Sequence, residues 1–305
     1  MKQVTFSYPT MADAEEVLAL MIRCDIAEYG EPDSDLEDLT FDWERIDLAD
    51  DAWLAIDGDG RLVGYAAVLP WGDDLQLDFY SDPDWPEAGL GRDLLARCLA
   101  RAGEIAAGRP DGLTARTFVA HSNRRDLDIV RQIGFESGRF IFQMGIDLAE
   151  RPPSPEWPPG VSVRGVVPGK DDRPLHRLIQ DAFHQPGRTP QPLNDWREFM
   201  MRPDIFDPEL WFLALDGDEI IGACLAFAYP SGGWVRQLAV AEPWRGRGLG
   251  KALLRAAFNA FCARGFKSVG LTVESRRPDA HIFYRAVGMR QVRQYDEFVV
   301  PFNPG

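Results

Sequence analysis

The sequence predicts a mixed α/β protein that contains two similar domains. Apolar segments typical of strands alternate with amphipathic segments typical of helices, and several short segments recur at a nearly constant spacing. A proline-rich stretch, residues 151–160, separates the two sets and is typical of a stiff linker. In a chain of 305 residues we therefore expect one domain at residues 1–150 and a second at residues 161–305.

The repeat is visible in three pairs of segments. They are residues 54–59 with 213–218, 89–91 with 248–250, and 134–135 with 288–289. The offsets are 159, 159 and 154 residues, which indicates a duplicated domain. The first pair predicts a strand that enters a hairpin turn, the second the beginning of a helix, and the third the end of a helix.

The second copy gives the clearest order of elements. A strand-like segment at 234–240 precedes a glycine-rich turn, a helix-like segment at 251–264 and a strand at 267–274. In the last strand Val269, Leu271 and Val273 alternate as in a half-buried strand. A further helix is predicted to begin near Pro278 and Asp279 and to end at Gly288.

The glycine-rich turn has the composition of an anion site. Backbone N–H groups at a helix start have no partner, and the helix dipole favours negative charge there. Glycines let the backbone approach an anion closely, and three basic side chains lie beside them. The residues are Arg245, Gly246, Arg247, Gly248, Leu249, Gly250 and Lys251. We therefore expect a phosphorylated cofactor.

Two common phosphate loops do not fit this turn. A Walker A loop needs Ser or Thr after its lysine, whereas Ala252 follows Lys251, and Arg245 stands where its first glycine belongs. A dinucleotide-binding fingerprint needs Gly-x-Gly-x-x-Gly, but these glycines lie at 246, 248 and 250. The remaining match is Arg-x-x-Gly-x-Gly.

That pattern, with Leu238, Ala239 and Val240 before it and Tyr284-x-x-x-Gly288 after it, resembles the GNAT superfamily of acyl-CoA-dependent N-acetyltransferases. The resemblance covers residues 211–298 most strongly. It implies two tandem GNAT domains, with acetyl-CoA as the cofactor.

The resemblance also implies roles for residues of the second copy. Residues 238–240 would bind pantetheine in a gap between two splayed strands, and residues 245–251 would hold the diphosphate of coenzyme A. Tyr284 would be the acid that protonates the departing thiolate. Glu274 and Glu242 are both open as the base for the amine, and ordered water is a third alternative.

Two further contacts remain open. Arg276 and Arg277 are candidates to contact the 3′-phosphate of coenzyme A, although a solvated turn explains them at least as well. Asparagine is common in the family where this chain has Arg277, so this cofactor contact departs from the family pattern.

The first copy lacks the features of this site. Pro86, Glu87 and Ala88 stand where the second copy has Arg245, Gly246 and Arg247, and Val130 stands where it has Tyr284. We therefore expect the first domain to bind no cofactor and to have a structural or substrate-shaping role.

Composition limits the partners. Residues 1–150 carry 31 acidic and 13 basic side chains, whereas residues 151–305 carry 17 and 20, within a net charge of −15. This acidic balance argues against nucleic-acid binding, and no apolar run is long enough to span a membrane. Four scattered cysteines and four scattered histidines predict no metal site and a reducing cytoplasm.

The acceptor is predicted only as a class, a primary amine of a small molecule. Residues 28–51 contain eleven acidic residues and only one basic residue, Arg45. This segment either attracts a cationic substrate, such as a polyamine or an aminosugar, or is a solvated surface, which we favour. Four aromatic residues of the second copy are candidates for the acceptor pocket or the core: Phe183, Trp196, Phe199 and Phe206.

The sequence therefore predicts a cytoplasmic N-acetyltransferase with one working site, in a monomer or a homodimer. Its layout is similar to that of mycothiol synthase, which also joins a degenerate first copy to an active second one. No residue indicates recognition of a cysteinyl-sugar acceptor, so the mycothiol synthase reaction is kept only as an alternative. A non-catalytic acyl-CoA-binding sensor is another.

Overall fold

The computed structural model describes residues 4–87, 89–184, 190–203, 205–229, 232–275 and 281–303. Its backbone forms two compact units. The first contains the described residues before Phe142, Ser275, and the described residues from Arg293 onward. The second contains Phe142–Glu274 and residues 281–292. The domain boundaries predicted at residues 150 and 161 stay a prediction.

The first unit is built around a mixed sheet. Its elements are β1 (Val4–Ser7), α1 (Ala14–Tyr29), α2 (Leu36–Trp43), α3 (Leu48–Asp51), β2 (Ala52–Asp57), β3 (Leu62–Trp71), β4 (Asp74–Ser81), α4 (Gly89–Ala107), β5 (Leu113–Ala120), α5 (Arg124–Ile133) and the first part of β6 (Glu136–Asp147). Within this unit the strand order is β1-β2-β3-β4-β5, followed by β12 (Arg290–Phe302), which belongs to it from Arg293 onward.

Strand pairing explains where this sheet is irregular. In the described residues, the pairs from β1 to β4 and the pair of β5 with β12 are antiparallel, whereas β4 and β5 are parallel and have only two partner pairs, Leu75 with Ala115 and Gln76 with Arg116. On its other edge, β5 pairs with β12 along its whole length, from Leu113 to Ala120. β4 and β5 therefore diverge after these two pairs, while the rest of the sheet stays continuous.

Helices cover both faces of this sheet. Along β3, Leu62, Tyr65 and Ala67 pack in a cluster with α1 and α2, whereas Val63 and Val68 pack in a cluster with α4 and α5. A strand buried on both faces has a continuous apolar run instead of an alternating one, as β3 does.

The second unit repeats this arrangement. Its elements are the second part of β6, β7 (Val161–Gly165), α6 (Asp172–Ala182), α7 (Leu193–Met200), β8 (Trp211–Asp216), β9 (Glu219–Tyr229), β10 (Gly232–Val240), α8 (Leu249–Ala263), β11 (Ser268–Ser275), α9 (Ile282–Arg285) and the start of β12. The strand order is β7-β8-β9-β10-β11-β6. The predicted bounds of β10, α8 and β11 differ from these by two residues at most.

The core of the second unit holds the glycine-rich turn, residues 245–251, in place. On one face Trp196, Trp211 and Phe227 are fully buried, and on α8 Phe258 and Phe261 are fully buried too. The helix therefore docks on the sheet through large side chains, which fixes where it begins.

The proline-rich segment has no helix or strand and lies along α8. Asn259 Nδ2 donates a hydrogen bond of 3.0 Å to the Pro153 carbonyl, and Arg255 forms a 2.9 Å ion pair with Glu156. The segment is therefore part of the second unit's surface, not a free tether.

Together these sheets and helices confirm the mixed α/β class that the sequence predicts. No helix in the described part of the chain is long and apolar enough to cross a membrane. The four cysteines are free thiols. Among residues with a described placement, no group of three His, Cys, Asp or Glu side chains is arranged to hold a metal ion.

Candidate active site

The gap predicted between two strands of the second unit is present. β10 and β11 are parallel, and their only partner pairs in the described residues are Gly233 with Val269 and Trp234 with Gly270. In the part of the chain that the structure describes, β10 continues to Val240 with no strand partner on that side, and a β-bulge interrupts its pairing with β9 between Val235 and Gln237. An edge of this kind can pair with an extended ligand as an added strand would.

The turn after β10 is built by two glycines. A 3₁₀ turn, Glu242–Trp244, leads into it, and Gly246 and Gly248 have φ angles of +74° and +84°. Residues other than glycine rarely adopt these backbone angles. Gly248 is the residue before α8, and across the described residues no backbone N–H of residues 246–251 donates to a carbonyl. These donors are available to an anion.

Positive charge surrounds these donors. Arg245 and Arg247 are exposed, Lys251 is half-buried, and none of the three has a carboxylate partner among the described residues. Arg245 Nε donates a 3.1 Å hydrogen bond to the Val240 carbonyl, and the Arg247 guanidinium lies 5.1 Å from the centre of the Trp244 ring. Both contacts orient side chains whose charge is not neutralised, so the turn suits a diphosphate.

Gly250 lies where three parts of the second unit meet: the end of β10, the glycine-rich turn, and α9, the helix that contains Tyr284. A Cβ atom at Gly250 would lie 3.4 Å from Phe283 Cζ, 3.6 Å from Val240 Cγ2 and 3.9 Å from Leu238 Cδ2. Because Phe283 precedes Tyr284, this packing brings α9 against the start of α8 and the end of β10.

Tyr284 has the protonation state that an acid needs. Burial, with a smaller contribution from the neighbouring Cys224, raises the pKa of Tyr284 to about 12. The phenol therefore stays protonated at neutral pH, and its hydroxyl has no hydrogen-bond partner in the described part of the chain. Cys224 is the cross-strand partner of Leu238, so Tyr284 lies near the strand expected to bind pantetheine.

The structure thus brings the predicted site residues into one region of the second unit. Leu238 and Val240 are half-buried at the free edge of β10, and Ala239 between them is buried. Their binding roles, and those of residues 245–251 and Tyr284, stay predictions. Glu242 and Glu274 are both exposed, and nothing distinguishes one of them as the base.

Some predicted residues lie elsewhere. Arg276, Arg277 and the helix start at Pro278 and Asp279 lie outside the described residues, as does Ala88 of the first copy. Trp196 is fully buried and Phe206 packs edge-on against Trp211, so both belong to the core. Phe183 and Phe199 are exposed.

Two residues of the site were not singled out from the sequence. Phe283 had a local signal, since it precedes Tyr284 in the predicted helix. Cys224 had none, because only strand pairing places it beside Leu238.

The first unit has the same strand divergence, but other residues stand at the positions of the candidate site. Pro86 and Glu87 occupy the positions of Arg245 and Gly246. Val130, at the position of Tyr284, is fully buried in the core. A carboxylate thus stands where the second unit has a flexible glycine, and no phenol is present there.

Comparison with known proteins gives a consistent result. The family model described as the acetyltransferase (GNAT) family matches residues 15–135 and 174–289. A mycothiol acetyltransferase of Actinosynnema mirum is 29% identical over 282 residues, covering 90% of this chain and 91% of the relative. A mycothiol acetyltransferase of Streptomyces scabiei is 31% identical over 234 residues, covering 74% and 72%.

Solved structures agree. The crystal structure of a GCN5-related N-acetyltransferase from Sphaerobacter thermophilus has a TM-score of 0.85 and 33% identity, covering 99% of this chain and 96% of that one. A tandem GNAT protein from the clavulanic acid biosynthesis pathway has a TM-score of 0.68 and 17% identity over 99% of this chain and all of that one, a likeness of fold alone.

Proposed function

Because the chain belongs to the acetyltransferase (GNAT) family, we propose that its second unit transfers an acetyl group from acetyl-CoA to the primary amine of a small molecule. Use of acetyl-CoA as the donor follows from the family. The amine acceptor and the site residues are the proposal. Support comes chiefly from one observation: unpaired cations and free N–H groups begin α8 at the point where β10 loses its partner.

The binding roles follow the geometry. Residues 245–251 hold the diphosphate through backbone N–H groups and the side chains of Arg245, Arg247 and Lys251. The free edge of β10 at Leu238 and Val240 pairs with the pantetheine amides. Because the loop begins where this edge ends, both parts of one extended ligand are held in line.

The chemical roles are few. Bound acetyl-CoA supplies a thioester, whose carbonyl carbon forms a C–N bond with the amine as the C–S bond breaks. Tyr284 gives its proton to the departing sulfur, which its high pKa permits because the phenol is protonated beforehand. The amine loses a proton to Glu274, Glu242 or ordered water, and a backbone donor near Val240 stabilises the developing oxyanion.

Removing the phenol hydroxyl tests the acid role. In Tyr284→Phe we expect kcat to fall by roughly 100-fold or more, with the Kd for acetyl-CoA unchanged, because the hydroxyl acts on the leaving group alone. Thiol release across a panel of amines measures kcat, and calorimetry measures Kd. Tyr229→Phe, the same change elsewhere in this unit, should keep full activity. An undiminished kcat in Tyr284→Phe would contradict the role.

Reversing one charge tests whether the glycine-rich turn, residues 245–251, binds acetyl-CoA. Arg245→Glu should weaken acetyl-CoA binding by about tenfold or more, since a carboxylate would face the diphosphate. Pro86→Glu, at the corresponding position of the first unit, should leave binding unchanged, and calorimetry should find one site per chain. Two equal sites would show that the first unit also binds the cofactor.

A second candidate reaction is the one for which the curated relatives are named. The mycothiol acetyltransferases match this chain at 28–31% identity. A cysteinyl aminosugar therefore belongs in the acceptor panel, and rapid turnover with it alone would favour this candidate. Tight acetyl-CoA binding with no turnover on any amine would instead indicate a sensor.

Location and assembly are also proposals. Four free thiols fit a reducing cytoplasm, and two fused copies fit a monomer as well as a homodimer. Light scattering on the purified chain separates these two states.

A further inference from the structure

The first unit contains a cavity that the proposed reaction does not use. Its volume is about 480 Å³, and all of its lining residues belong to this unit. Its walls are the end of α1, the ends of β4 and β5 beyond their last pair, and the start of α5. A volume of this size suits a small organic molecule.

The charge of the wall is mainly negative, although two cations, Arg124 and Arg125, also line the cavity. Five carboxylates line the cavity, and two of them have cationic partners: Asp33 pairs with Arg293, and Asp126 pairs with Arg125 at 3.3 Å. The other three have no cationic partner in the described part of the chain; they are Asp25, Glu28 and Asp78.

Asp25 has an unused acceptor oxygen inside the fold. The residue is only 7% exposed, and its Oδ2 accepts the backbone N–H groups of Asp33 and Ser34 at 2.9 and 2.8 Å. Its other oxygen has no hydrogen-bond partner among the described residues, and Asp25 is one of the residues that line the cavity. This oxygen is therefore available to a donor that enters the cavity.

Among the described residues, the side-chain hydrogen bonds that Glu28 and Asp78 accept come from neutral donors, although Arg125 also lies near Glu28. Asn123 Nδ2 donates to Glu28 at 2.6 Å, and Gln76 Nε2 donates to Asp78 at 2.9 Å. Burial is the largest cause that raises the pKa of Glu28 to about 7 and that of Asp78 to about 6. A cation in the cavity would hold both carboxyls ionised, as an ion pair does.

Aromatic rings complete the wall. Tyr29, Tyr80, Tyr295 and Phe118 line the same space, and the rings of Tyr29 and Tyr295 lie 5.5 Å apart. Aromatic faces attract organic cations, especially where water is excluded. By contrast, Glu87 stands where the second unit has the flexible Gly246, so this unit is unsuited to the diphosphate of coenzyme A.

We propose that this cavity is a separate binding site in the first unit for a small organic cation that carries one or more ammonium groups. The unneutralised carboxylates of Asp25, Glu28 and Asp78 bind the ammonium groups, and the tyrosine rings contact the carbon chain. The site holds its ligand without changing it.

Calorimetry on the full chain tests this site. We expect 1,4-diaminobutane and spermidine to bind, whereas 1,4-butanediol, the neutral analogue of the first, does not. In the double variant Glu28→Gln/Asp78→Asn, affinity for both amines should fall by at least tenfold. Asp93→Asn, a single charge removal at an exposed position of α4, should keep the wild-type affinity.

The outcomes separate this site from the acceptor site of the second unit. Both substitutions keep side-chain shape, and hydrogen exchange of β4 and β5 checks that the variant is folded. The double variant should still release thiol from acetyl-CoA with any amine that the wild type uses. Absence of amine binding in the wild type, equal binding of the diol, or unchanged binding in the double variant would each overturn the proposal.

Discussion

Glu28 shows how position changes the meaning of a residue. In the sequence it is only the first of eleven acidic residues, for which a solvated surface is the favoured interpretation. In the structure it lies in a cavity wall, faced by Asn123, Asp126, Asp25 and Arg125. No local pattern separates it from its acidic neighbours, because its burial depends on where β5 and α5 pack.

The raised pKa of Glu28 predicts how stability depends on pH. The folded state favours the protonated carboxyl, so its contribution is fully present below pH 4.5 and is lost as the pH rises through about 7. Between these values the free energy of unfolding of the wild type should fall relative to Glu28→Gln by on the order of 1–3 kcal/mol. Urea titrations at several pH values measure this, and parallel curves for the two proteins would contradict it.

The residues of the candidate active site were predicted more completely. Glycines at positive φ, such as Gly246 and Gly248, have a local cause that the sequence displays, and so does the charge beside them. Cys224 could not be found in this way, since only the register of β9 and β10 brings it to Leu238.

At the scale of elements, the close approach of α8 to β10 fixes the position of the glycine-rich turn, residues 245–251. Gly233 permits this approach, because a Cβ atom there would lie 2.7 Å from the ring of Phe261, which is fully buried. The sequence predicted both elements from their periodicity, but periodicity does not reveal which glycine a neighbouring ring covers.

Filling that space should separate the helix from the strand. We expect Gly233→Ala to lower the free energy of unfolding by about 1–3 kcal/mol, since the Phe261 ring must move. The KM for acetyl-CoA should rise as well, because the loop moves with α8. Gly58→Ala, at an exposed turn with no atom within 4 Å of the new Cβ, is the matched control in urea unfolding. Equal stability of the two variants would contradict the argument.

At the scale of the whole molecule, the strand that completes the first unit comes from far along the chain. From Tyr295 to Phe302, β12 pairs with β5, and Glu297 accepts hydrogen bonds from Arg116 and Arg139. Although burial alone would raise it, these arginines hold the pKa of Glu297 below its usual value. The local sequence of β12 does not indicate which sheet edge the strand joins.

Truncating one side chain of β12 should therefore weaken the first unit. Phe298 is 4% exposed within its core, so Phe298→Ala should cost about 3–5 kcal/mol, whereas Phe298→Leu should cost less than about 1.5 kcal/mol. Hydrogen exchange followed by mass spectrometry should show faster exchange in β4 and β5 and little change in β9. Faster exchange confined to β9 and β10 would be the contrary result.

This pairing sets an order of events during synthesis. Arg116 and Glu297 are 181 residues apart, a distance that a ribosome covers in roughly 10 to 40 s. Until then the nascent first unit exposes the outer edge of β5, with unsatisfied amides that could recruit another strand. During translation, the need for chaperones should thus depend on the exposed edge of β5, because its partner strand β12 has not yet been synthesised.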